Sequence, residues 1–471
     1  MSVVLSHDRA TIVIDGLRAD EVGPERAEAV RLASERLMAL GFKADARIAG
    51  RLRGEGRWYR PALVTLVKAG LEPRDEARNY LVLALVPRRA RDPHPHQSEA
   101  LAAWIAAKKC GVVVLPTGAG KSYLAELAMA EAQRSTLIVA PTIDLMNQWA
   151  GNLAAAFSAD LVGAVGGGMN DVRPLTVTTY DSAHLHVERL ADRFGLGVFD
   201  ECHHLPSPAY MTAAMGLIAP FRLGLTATPE RGDGSDARLD ELIGPIVYRR
   251  DIQDLRGVYL AAYETVRLAA DLADDERRAH DDARATYRGF VERHRIAMSS
   301  PNGWGQFLQL AARSAEGRAA LKAWREQRQI ALRCRAKLEV LENLLLRHRD
   351  DPTIIFCADN DTVHHIARTW LVPALTHETP GPERKTVLED FNAGRVRALV
   401  TARVLNEGVD LPAARIGIVL SGSATVREHV QRLGRLLRKQ GDKAAVLYEV
   451  VTRDTAEESV SDRRREHGAY R

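Results

Sequence analysis

The sequence predicts an α/β protein with two doubly wound parallel-sheet domains, an α+β domain before them and a helical insertion between them. Two series of short, almost continuously apolar runs, at about 95–250 and 337–452, alternate with helical stretches. Such runs are typical of parallel strands that are buried on both faces of a sheet. The chain has 471 residues, more than one hydrophobic core accommodates, and a charged helical stretch at about 271–335 separates the two series.

The strand candidates and the breaks between them define five segments. The runs are "GVVVLP", "TLIVAP", "LTVTTY", "LGVFD" and "FRLGLTAT" in the first series, and "TIIFC", "RALVTA", "RIGIVLSG" and "AVLYEVV" in the second. Near the N-terminus, "TIVIDG" predicts a strand and the proline-punctuated "VPRRARDPHPHQ" a linker. We therefore expect an α+β domain at 1–86, a first doubly wound domain at 87–255, a helical insertion at 256–335, a second doubly wound domain at 336–452 and a polar tail at 453–471.

Composition and charge restrict the class of protein. The formal net charge is only +4, so any surface that binds nucleic acid must be a local one. The four cysteines form no CxxC pair, which disfavours a disulfide framework or an iron–sulfur cluster. No apolar run reaches the length of a membrane helix, and the first residues lack a signal-peptide pattern. We expect a cytoplasmic protein without a membrane partner.

The stretch "VVVLPTGAGKSYLAELA" reads as a strand, a glycine-bearing loop and a helix. Glycines in such a loop let backbone N–H groups surround a phosphate, the lysine reaches the outer phosphates, and the following hydroxyl ligates Mg²⁺. The match departs from GxxxxGK[ST] at its first position, where Leu115 replaces glycine. The predicted ATP-binding residues are Thr117, Gly118, Ala119, Gly120, Lys121 and Ser122, with Ser122 also a Mg²⁺ ligand.

The stretch "VFDECHHLPS" places two carboxylates at the end of an apolar run. In a nucleotide-binding domain, Asp200 would hold Mg²⁺ and Glu201 would orient or deprotonate the attacking water. A zinc site at Cys202, His203 and His204 is the alternative, but three adjacent residues converge poorly on a tetrahedral metal. We expect His203 instead to link the nucleotide site to a neighbouring strand end.

A third stretch, "REHVQRLGRLLRKQG", places Gln431, Arg435 and Arg438 on one face of a helix. Arginines at such a position can act as arginine fingers that stabilise charge on the transferred phosphate. A basic surface helix is the alternative.

In order along the chain, these stretches resemble the motifs of superfamily 2 helicases. The matching segments are "PTGAGKS", "APTIDLMNQW", "TVTTYDS", "DECH" (a DExH pattern), "LTATPER", "VTARVLNEGVDLP" and "QRLGRLLR". Longer stretches, such as "FGLGVFDECHHLPSPAY" and "LTHETPGPERKTVLEDFNAG", most resemble the XPB (xeroderma pigmentosum group B) family in its shorter archaeal and bacterial form. The resemblance implies two RecA-like domains that bind and hydrolyse ATP with Mg²⁺.

The resemblance also assigns roles to further residues. Gln97 would bind adenine, and Gly408 and Asp410 would close over the nucleotide. Thr226 and Thr228 would couple hydrolysis to the bound nucleic acid. The residues that would contact the nucleic-acid backbone are Thr142, Thr179, Thr401 and Arg403. Arg231, Gly232 and Asp233 stand where family members carry an Arg-Glu-Asp triplet near the strand-separating edge. Because the acidic middle residue is missing, the sequence leaves open whether the strands are separated or only translocated along.

Two accessory segments are candidates for contact with nucleic acid. In the N-terminal domain, which resembles the family's damage-recognition module, "RLRGEGRWYRPA" interleaves arginines with Trp58 and Tyr59. In the insertion, which resembles the family's thumb, Arg318, Lys322, Arg325 and Arg333 fall within an arc of about 80° on one helix. A packed tryptophan and a merely solvated helix face are the respective alternatives.

The resemblance implies an ATP-driven DNA helicase or translocase that moves 3′ to 5′ on duplex and single-stranded DNA without sequence specificity. It also implies DNA repair as the context and a nuclease as a possible partner. Two other classes remain open. A DExH RNA helicase would share the same phosphate contacts, and a DNA-stimulated ATPase could serve mainly to recruit a nuclease.

Overall fold

The computed structural model describes residues 2–88, 91–230, 234–255, 259, 262–300, 302–402, 414–420 and 444–465. The chain divides into two compact units, with the boundary between Asp251 and Ile252. The predicted N-terminal domain and residues 87–251 of the predicted first doubly wound domain share the first unit. Residues 252–255, predicted as the end of that domain, lie in the second unit with the insertion and the second doubly wound domain. No helix among the described residues is long and apolar enough to cross a membrane.

The N-terminal part of the first unit is an α+β module. Its elements are β1 (Val4–Asp8), β2 (Thr11–Asp15), α1 (Pro24–Leu40), β3 (Lys43–Ala44), β4 (Leu52–Glu55), α2 (Tyr59–Lys68) and β5 (Arg74–Asp75). The sheet has the order β3-β4-β2-β1-β5. Apolar side chains of β1 and β2, such as Leu5 and Ile14, pack with Val30 and Leu37 of α1 and with Leu66 of α2. The module therefore has a hydrophobic core of its own.

The arginines of "RLRGEGRWYRPA" build this module and attach it to the neighbouring domain. Arg51 pairs with Asp15 at 2.6 Å, Arg53 with Asp8 at 2.8 Å and Arg57 with Glu55 at 2.6 Å. Arg60 donates to the carbonyls of Lys108 (2.6 Å) and Pro220 (3.0 Å), and Tyr59 is buried and donates to Asp75. The backbones meet closely, since a Cβ on Gly56 would lie 1.9 Å from the oxygen of Gly216. The structure favours the packing alternative here over the predicted contact with nucleic acid.

The rest of the first unit is a doubly wound domain. Its elements are α3 (Pro95–Ala106), β6 (Cys110–Val114), α4 (Lys121–Ala132), β7 (Thr136–Ala140), α5 (Ile143–Ala156), β8 (Val162–Gly166), β9 (Met169–Asn170), β10 (Leu175–Thr179), α6 (Tyr180–Leu190), β11 (Leu196–Asp200), α7 (Pro208–Gly216), β12 (Phe221–Thr226), α8 (Arg238–Leu242) and β13 (Ile246–Arg249). The strand order is β13-β6-β12-β11-β7-β10-β8-β9, parallel except for the β8–β9 pair. The carboxyl ends of β6, β12, β11, β7 and β10 therefore lie along one edge, where α/β sheets bind ligands.

The second unit contains the other parallel sheet and the helical insertion. Its elements are α9 (Ile252–Leu255), β14 (Ala262–Ala270), α10 (Asp274–Arg293), α11 (Gly303–Arg313), α12 (Ala315–Arg333), α13 (Arg335–Arg347), β15 (Thr353–Phe356), α14 (Asn360–Trp370), β16 (Ala374–Leu375), α15 (Gly381–Asn392), β17 (Ala398–Thr401), β18 (Ile416–Val419), β19 (Ala444–Thr452) and α16 (Ala456–Arg465). The described strands have the order β14-β19-β18-β15-β17-β16. All ten strand candidates of the sequence analysis, nine in the two series and "TIVIDG" near the N-terminus, are confirmed as strands.

Two segments of the second unit differ from expectation. The predicted insertion, 256–335, begins with a strand, because β14 pairs in parallel with β19 over nine residues. Where the sequence predicts a polar tail, residues 456–465 form α16. This helix is held by Lys337, whose buried amine lies 2.5 Å from Glu457, and by Arg267, which donates to Asp462 at 2.8 Å. These partners are distant in sequence, so local composition gave no sign of them.

Candidate active site

The predicted phosphate loop connects β6 to α4. Gly118 and Gly120 adopt positive φ angles of 88° and 81°, which glycine tolerates at little cost. Leu115, which replaces the first glycine of the motif, has no positive φ. It is fully buried, and its N–H donates to Thr226 of β12 at 3.0 Å. The departure from the motif therefore introduces no backbone strain.

The loop has unused polar groups at its centre. The Thr117 hydroxyl is shielded from solvent and has no hydrogen-bond partner among the described residues. The Lys121 amine donates to the Leu115 carbonyl at 3.2 Å and lies 3.7 Å from Glu201 Oε1. A free hydroxyl, two left-handed glycines and a lysine at a helix N-terminus together suit a phosphate group.

The carboxylate pair lies at the end of the buried strand β11. Glu201 follows the strand in the left-handed region at φ 45°, an uncommon conformation for a residue with a side chain. This turn brings its carboxylate towards Lys121. Asp200 accepts hydrogen bonds from the Trp149 indole (2.8 Å) and from the Glu201 backbone N–H (3.0 Å).

Burial and charge separate the acidities of the two carboxyls. Burial, together with the negative charge of Glu201, raises the pKa of Asp200 to about 6. Burial alone would raise the pKa of Glu201 as well, but Lys121 and the hydrogen bond from His203 outweigh it and lower that pKa below its ordinary value. Glu201 is therefore anionic at neutral pH. Asp200 gains a proton at a higher pH than an ordinary aspartate does.

A hydrogen-bond network joins Glu201 to the end of β12. His203 Nδ1 lies 3.0 Å from the Thr226 hydroxyl and 3.4 Å from Glu201 Oε2. The Thr226 hydroxyl is also 3.2 Å from both the backbone N–H and the carbonyl of Thr228. His203 thus lies against a neighbouring strand end, as the sequence predicts. Thr226 and Thr228 belong to the same hydrogen-bond network, and their coupling role stays a prediction.

The three residues of the zinc alternative make different contacts. Cys202 is buried in the apolar core, and its pKa is raised well above the ordinary value by burial. The His203 and His204 rings lie 4.3 Å apart, with His203 Nδ1 facing the Thr226 hydroxyl and the His204 ring 6.0 Å from that of Tyr180. In the described parts of the chain, no three His, Cys, Asp or Glu side chains form a group that could hold a metal ion. A Mg²⁺ ion bound mainly by phosphates, water and one or two protein oxygens needs no such group.

Comparisons with known proteins identify the family. A model described as "Type III restriction enzyme, res subunit" matches residues 91–231, and one described as "Helicase conserved C-terminal domain" matches residues 336–440. The DNA 3'-5' translocase XPB2 of Sulfurisphaera tokodaii is 40% identical over 371 residues, which cover 79% of this chain and 84% of that protein. The chain belongs to the XPB family of superfamily 2 helicases.

A second relative agrees with this assignment, and a solved structure has the same fold. The DNA 3'-5' helicase XPB of Kineococcus radiotolerans is 32% identical over 384 residues, covering 79% of this chain and 61% of that protein. The helicase domain of Pyrococcus furiosus Hef shares the fold, with a TM-score of 0.54 at 18% identity over 78% of this chain and 97% of that one. The two parallel sheets are accordingly those of two RecA-like domains.

Gln97, predicted to read adenine in this XPB-family chain, is bound to the phosphate loop. Its amide nitrogen lies 3.2 Å from the Ala119 carbonyl and 3.3 Å from the Gly120 carbonyl, and its oxygen accepts the His94 N–H at 2.9 Å. A Cβ on Gly120 would lie 2.2 Å from that nitrogen. Gln97 therefore braces the loop. Its contact with adenine stays a prediction.

The predicted threonine contacts to nucleic acid differ in their accessibility, since Thr142 is half-buried, Thr179 is only 6% exposed and Thr401 is fully buried. Thr142 and Thr179 cap the N-termini of α5 and α6, accepting the backbone N–H of Leu145 and Ser182 at 3.2 Å each. Both caps lie at the ligand-binding edge of the sheet that contains β7 and β10, and a helix N-terminus favours a phosphate. Thr401 is fully buried and donates to the Leu375 carbonyl. The structure does not support a side-chain contact from Thr401.

Three of the four residues of the predicted basic stripe are exposed on α12, and Arg333 is half-buried. Arg318, Lys322 and Arg325 all face solvent, and none of the three makes a side-chain ion pair within the described part of the chain. Sequence reasoning missed two tryptophans in the insertion. The Trp304 ring, 38% exposed, lies 4.5 Å from that of Trp324. The available signals were the two aromatic residues of "NGWGQF" and the tryptophan among basic residues in "LKAWREQR".

Several predicted site residues of the XPB motifs lie outside the described residues. They are Arg231 and Asp233 at and just after the end of "LTATPER", Arg403, Gly408 and Asp410 of "VTARVLNEGVDLP", and Gln431, Arg435 and Arg438 of "QRLGRLLR". Trp149 was missed altogether. Its position in "APTIDLMNQW", on the buried face of an amphipathic helix with Met146 and Leu153, indicates burial but not its polar partner.

Proposed function

We propose that this chain is an ATP-dependent DNA translocase and helicase that moves in the 3′-to-5′ direction. The observation that carries the proposal is the approach of Lys121 and Glu201 to 3.7 Å between the phosphate loop and the end of β11. This pair places a phosphate-binding cation beside a carboxylate that can act on water. The direction and the substrate follow from the names of the relatives, a DNA 3'-5' translocase and a DNA 3'-5' helicase.

The proposed chemistry uses the residues at the ends of β6 and β11. Asp200 and Ser122 have the oxygen donors that Mg²⁺ prefers, and they would hold it beside the triphosphate. When bound, Mg²⁺ neutralises charge on the phosphate oxygens. Lys121 would leave Glu201 for the outer phosphates. Because Lys121 lowers the pKa of Glu201, its departure makes Glu201 a stronger base for the attacking water.

The remaining nucleotide contacts are proposed from the family motifs. Gln97 would contact adenine, Gly408 and Asp410 would contact the nucleotide, and Gln431, Arg435 and Arg438 would stabilise charge on the γ-phosphate. We propose that the Glu201–His203–Thr226 network reports hydrolysis to Thr228 and onwards to Arg231 and Asp233. Thr142, Thr179 and Arg403 would hold the nucleic-acid backbone.

The helical insertion supplies a second DNA-binding surface in this proposal. Exposed cations at Arg318, Lys322 and Arg325 suit a phosphate backbone without reading its sequence. The nearby Trp304 and Trp324 offer aromatic faces to unpaired bases. We place the protein in the cytoplasm and in DNA repair, with a nuclease as its partner. Gly232, which stands where family members carry an acidic residue, favours translocation along DNA without strand separation.

The test is ATP hydrolysis by the purified chain with no nucleic acid, duplex DNA, single-stranded DNA or RNA, with Glu201→Gln measured alongside. Stimulation by DNA that the variant lacks is the expected result. Stronger stimulation by RNA would instead identify an RNA helicase. A triplex-displacement assay for translocation and a forked-duplex assay for unwinding then separate the two modes, because a pure translocase displaces the third strand and leaves the fork paired.

A further inference from the structure

Trp149 makes a buried polar contact that none of the assigned roles explains. Its indole N–H donates to Asp200 Oδ2 at 2.8 Å, and both residues are buried, at 2% and 7% exposure. The other carboxylate oxygen, Oδ1, accepts the backbone N–H of Glu201 at 3.0 Å. Among the described residues, Trp149 is the side chain that donates to Asp200. It therefore fixes the rotation of that carboxylate about its Cβ–Cγ bond.

The helix that carries Trp149 begins at the proposed nucleic-acid track. Thr142 caps α5, and Trp149 follows seven residues later, about two turns or roughly 10 Å along the helix axis. Met146, Trp149 and Leu153 bury one face of α5 in the domain. A packed helix moves as a rigid body, so a displacement of its N-terminus moves the indole relative to Asp200.

We propose that Trp149 is a positioning residue that orients Asp200 for Mg²⁺ and links α5, and the nucleic acid at its N-terminus, to the nucleotide site. This inference rests on the proposed function. It defines a route that does not pass through His203, Thr226 or Thr228. The Asp200 contact belongs to β11 and α5, whereas the other network runs from β11 to β12.

Groups that hold a metal ligand in place typically change metal affinity or activity by roughly 10–100-fold when they are removed. Loss of the indole N–H leaves Oδ2 buried without its donor and the carboxylate free to turn. Nucleotide bound without Mg²⁺ relies on the phosphate loop and is unaffected. Loss of the Trp149 N–H should therefore reduce two quantities only. They are the gain in nucleotide affinity that Mg²⁺ provides and the stimulation of ATP hydrolysis by DNA.

The experiment compares Trp149→Phe with Trp104→Phe in the full chain. Trp104 is a matched control, because it lies in the same domain, is 1% exposed and donates through its indole to the Arg222 carbonyl at 2.8 Å. A fluorescent ATP analogue is titrated in Mg²⁺ and in EDTA, and thermal melting is recorded. We expect Trp149→Phe to bind normally in EDTA and to lose about tenfold or more of the gain from Mg²⁺. Trp104→Phe should lower the melting temperature and keep that gain.

A second variant separates the N–H group from the packing of the ring. Benzothienylalanine at position 149 has nearly the shape of tryptophan and lacks the donor, so it should reproduce the loss even if Trp149→Phe is poorly folded. An unchanged gain from Mg²⁺ in the benzothienyl variant would overturn the positioning role. If the benzothienyl variant loses the Mg²⁺-dependent gain in nucleotide affinity but DNA still stimulates its ATP hydrolysis by the wild-type factor, the link through α5 is overturned. If the wild-type chain shows no stimulation by DNA, the proposed function fails, while the Mg²⁺ and EDTA titration still decides the role of Trp149.

Discussion

Glu201→Gln removes one negative charge from the end of β11 and changes little else. Glutamine has nearly the same volume, and its carbonyl oxygen can still accept from the Thr226 hydroxyl, which lies 3.5 Å from the Glu201 carboxylate. The ion pair with Lys121 at 3.7 Å is lost, which leaves the amine available to phosphate. General-base catalysis contributes roughly 10²–10⁴-fold to a rate. We therefore expect turnover to fall by about that factor, while nucleotide affinity is kept or increased.

The assay is single-turnover ATP hydrolysis with saturating duplex DNA, together with titration of a fluorescent nucleotide. Glu188→Gln is a suitable control, because it makes the same chemical change on an exposed position of α6 in the same domain. The control should hydrolyse ATP at the wild-type rate. A Glu201→Gln rate within tenfold of wild type would refute the assignment of Glu201 to the attacking water.

Three further predictions concern protonation, the basic stripe and stability. Protonated Asp200 cannot bind Mg²⁺, so with its pKa at about 6 the Mg²⁺-dependent gain in nucleotide affinity should fall about tenfold from pH 7 to pH 5. In Glu201→Gln the midpoint of this pH dependence should move to lower pH, because the negative charge that raises the pKa of Asp200 is gone. An unshifted midpoint would contradict the electrostatic coupling of the two carboxyls. Replacing Arg318, Lys322 and Arg325 by Ala should reduce the slope of log affinity for DNA against log salt concentration by up to about 2.7, at about 0.9 for each phosphate contact. ATP hydrolysis without DNA should be preserved. An unchanged slope would mean that these residues form a solvated helix face without DNA contacts. Glu457→Gln leaves the fully buried Lys337 ammonium without its counter-charge and should lower the free energy of unfolding of the second unit by about 3–5 kcal/mol in a denaturant titration. Glu458→Gln, at an exposed pair with Arg267, should lower it by less than about 1 kcal/mol. Equal effects would exclude a special role for the buried pair.

The sequence by itself determined both parallel sheets and the two chemical motifs. Apolar runs with flanking helices identify buried parallel strands, because burial on both faces demands them. The phosphate loop and the carboxylate pair are contiguous in sequence, and each follows directly from a strand. Since parallel strands end at one edge of the sheet, the meeting of Lys121 with Glu201 was predictable from these local patterns.

Only the tertiary structure decided which partner each polar side chain takes. The arginines of "RLRGEGRWYRPA" could equally bind phosphate or protein, and they are occupied by Asp15, Asp8, Glu55 and backbone carbonyls. Likewise β14 and α16 form because β19 and Lys337 lie beside them, although their own sequences are ambiguous or polar. The helical pattern around Trp149 predicts only that it is buried. Its bond to Asp200 exists because α5 packs on β7, β8 and β10 and brings the indole to the end of β11. Periodicity tells which face of an element is buried, but a hydrogen bond depends on the packing of elements that are remote in sequence.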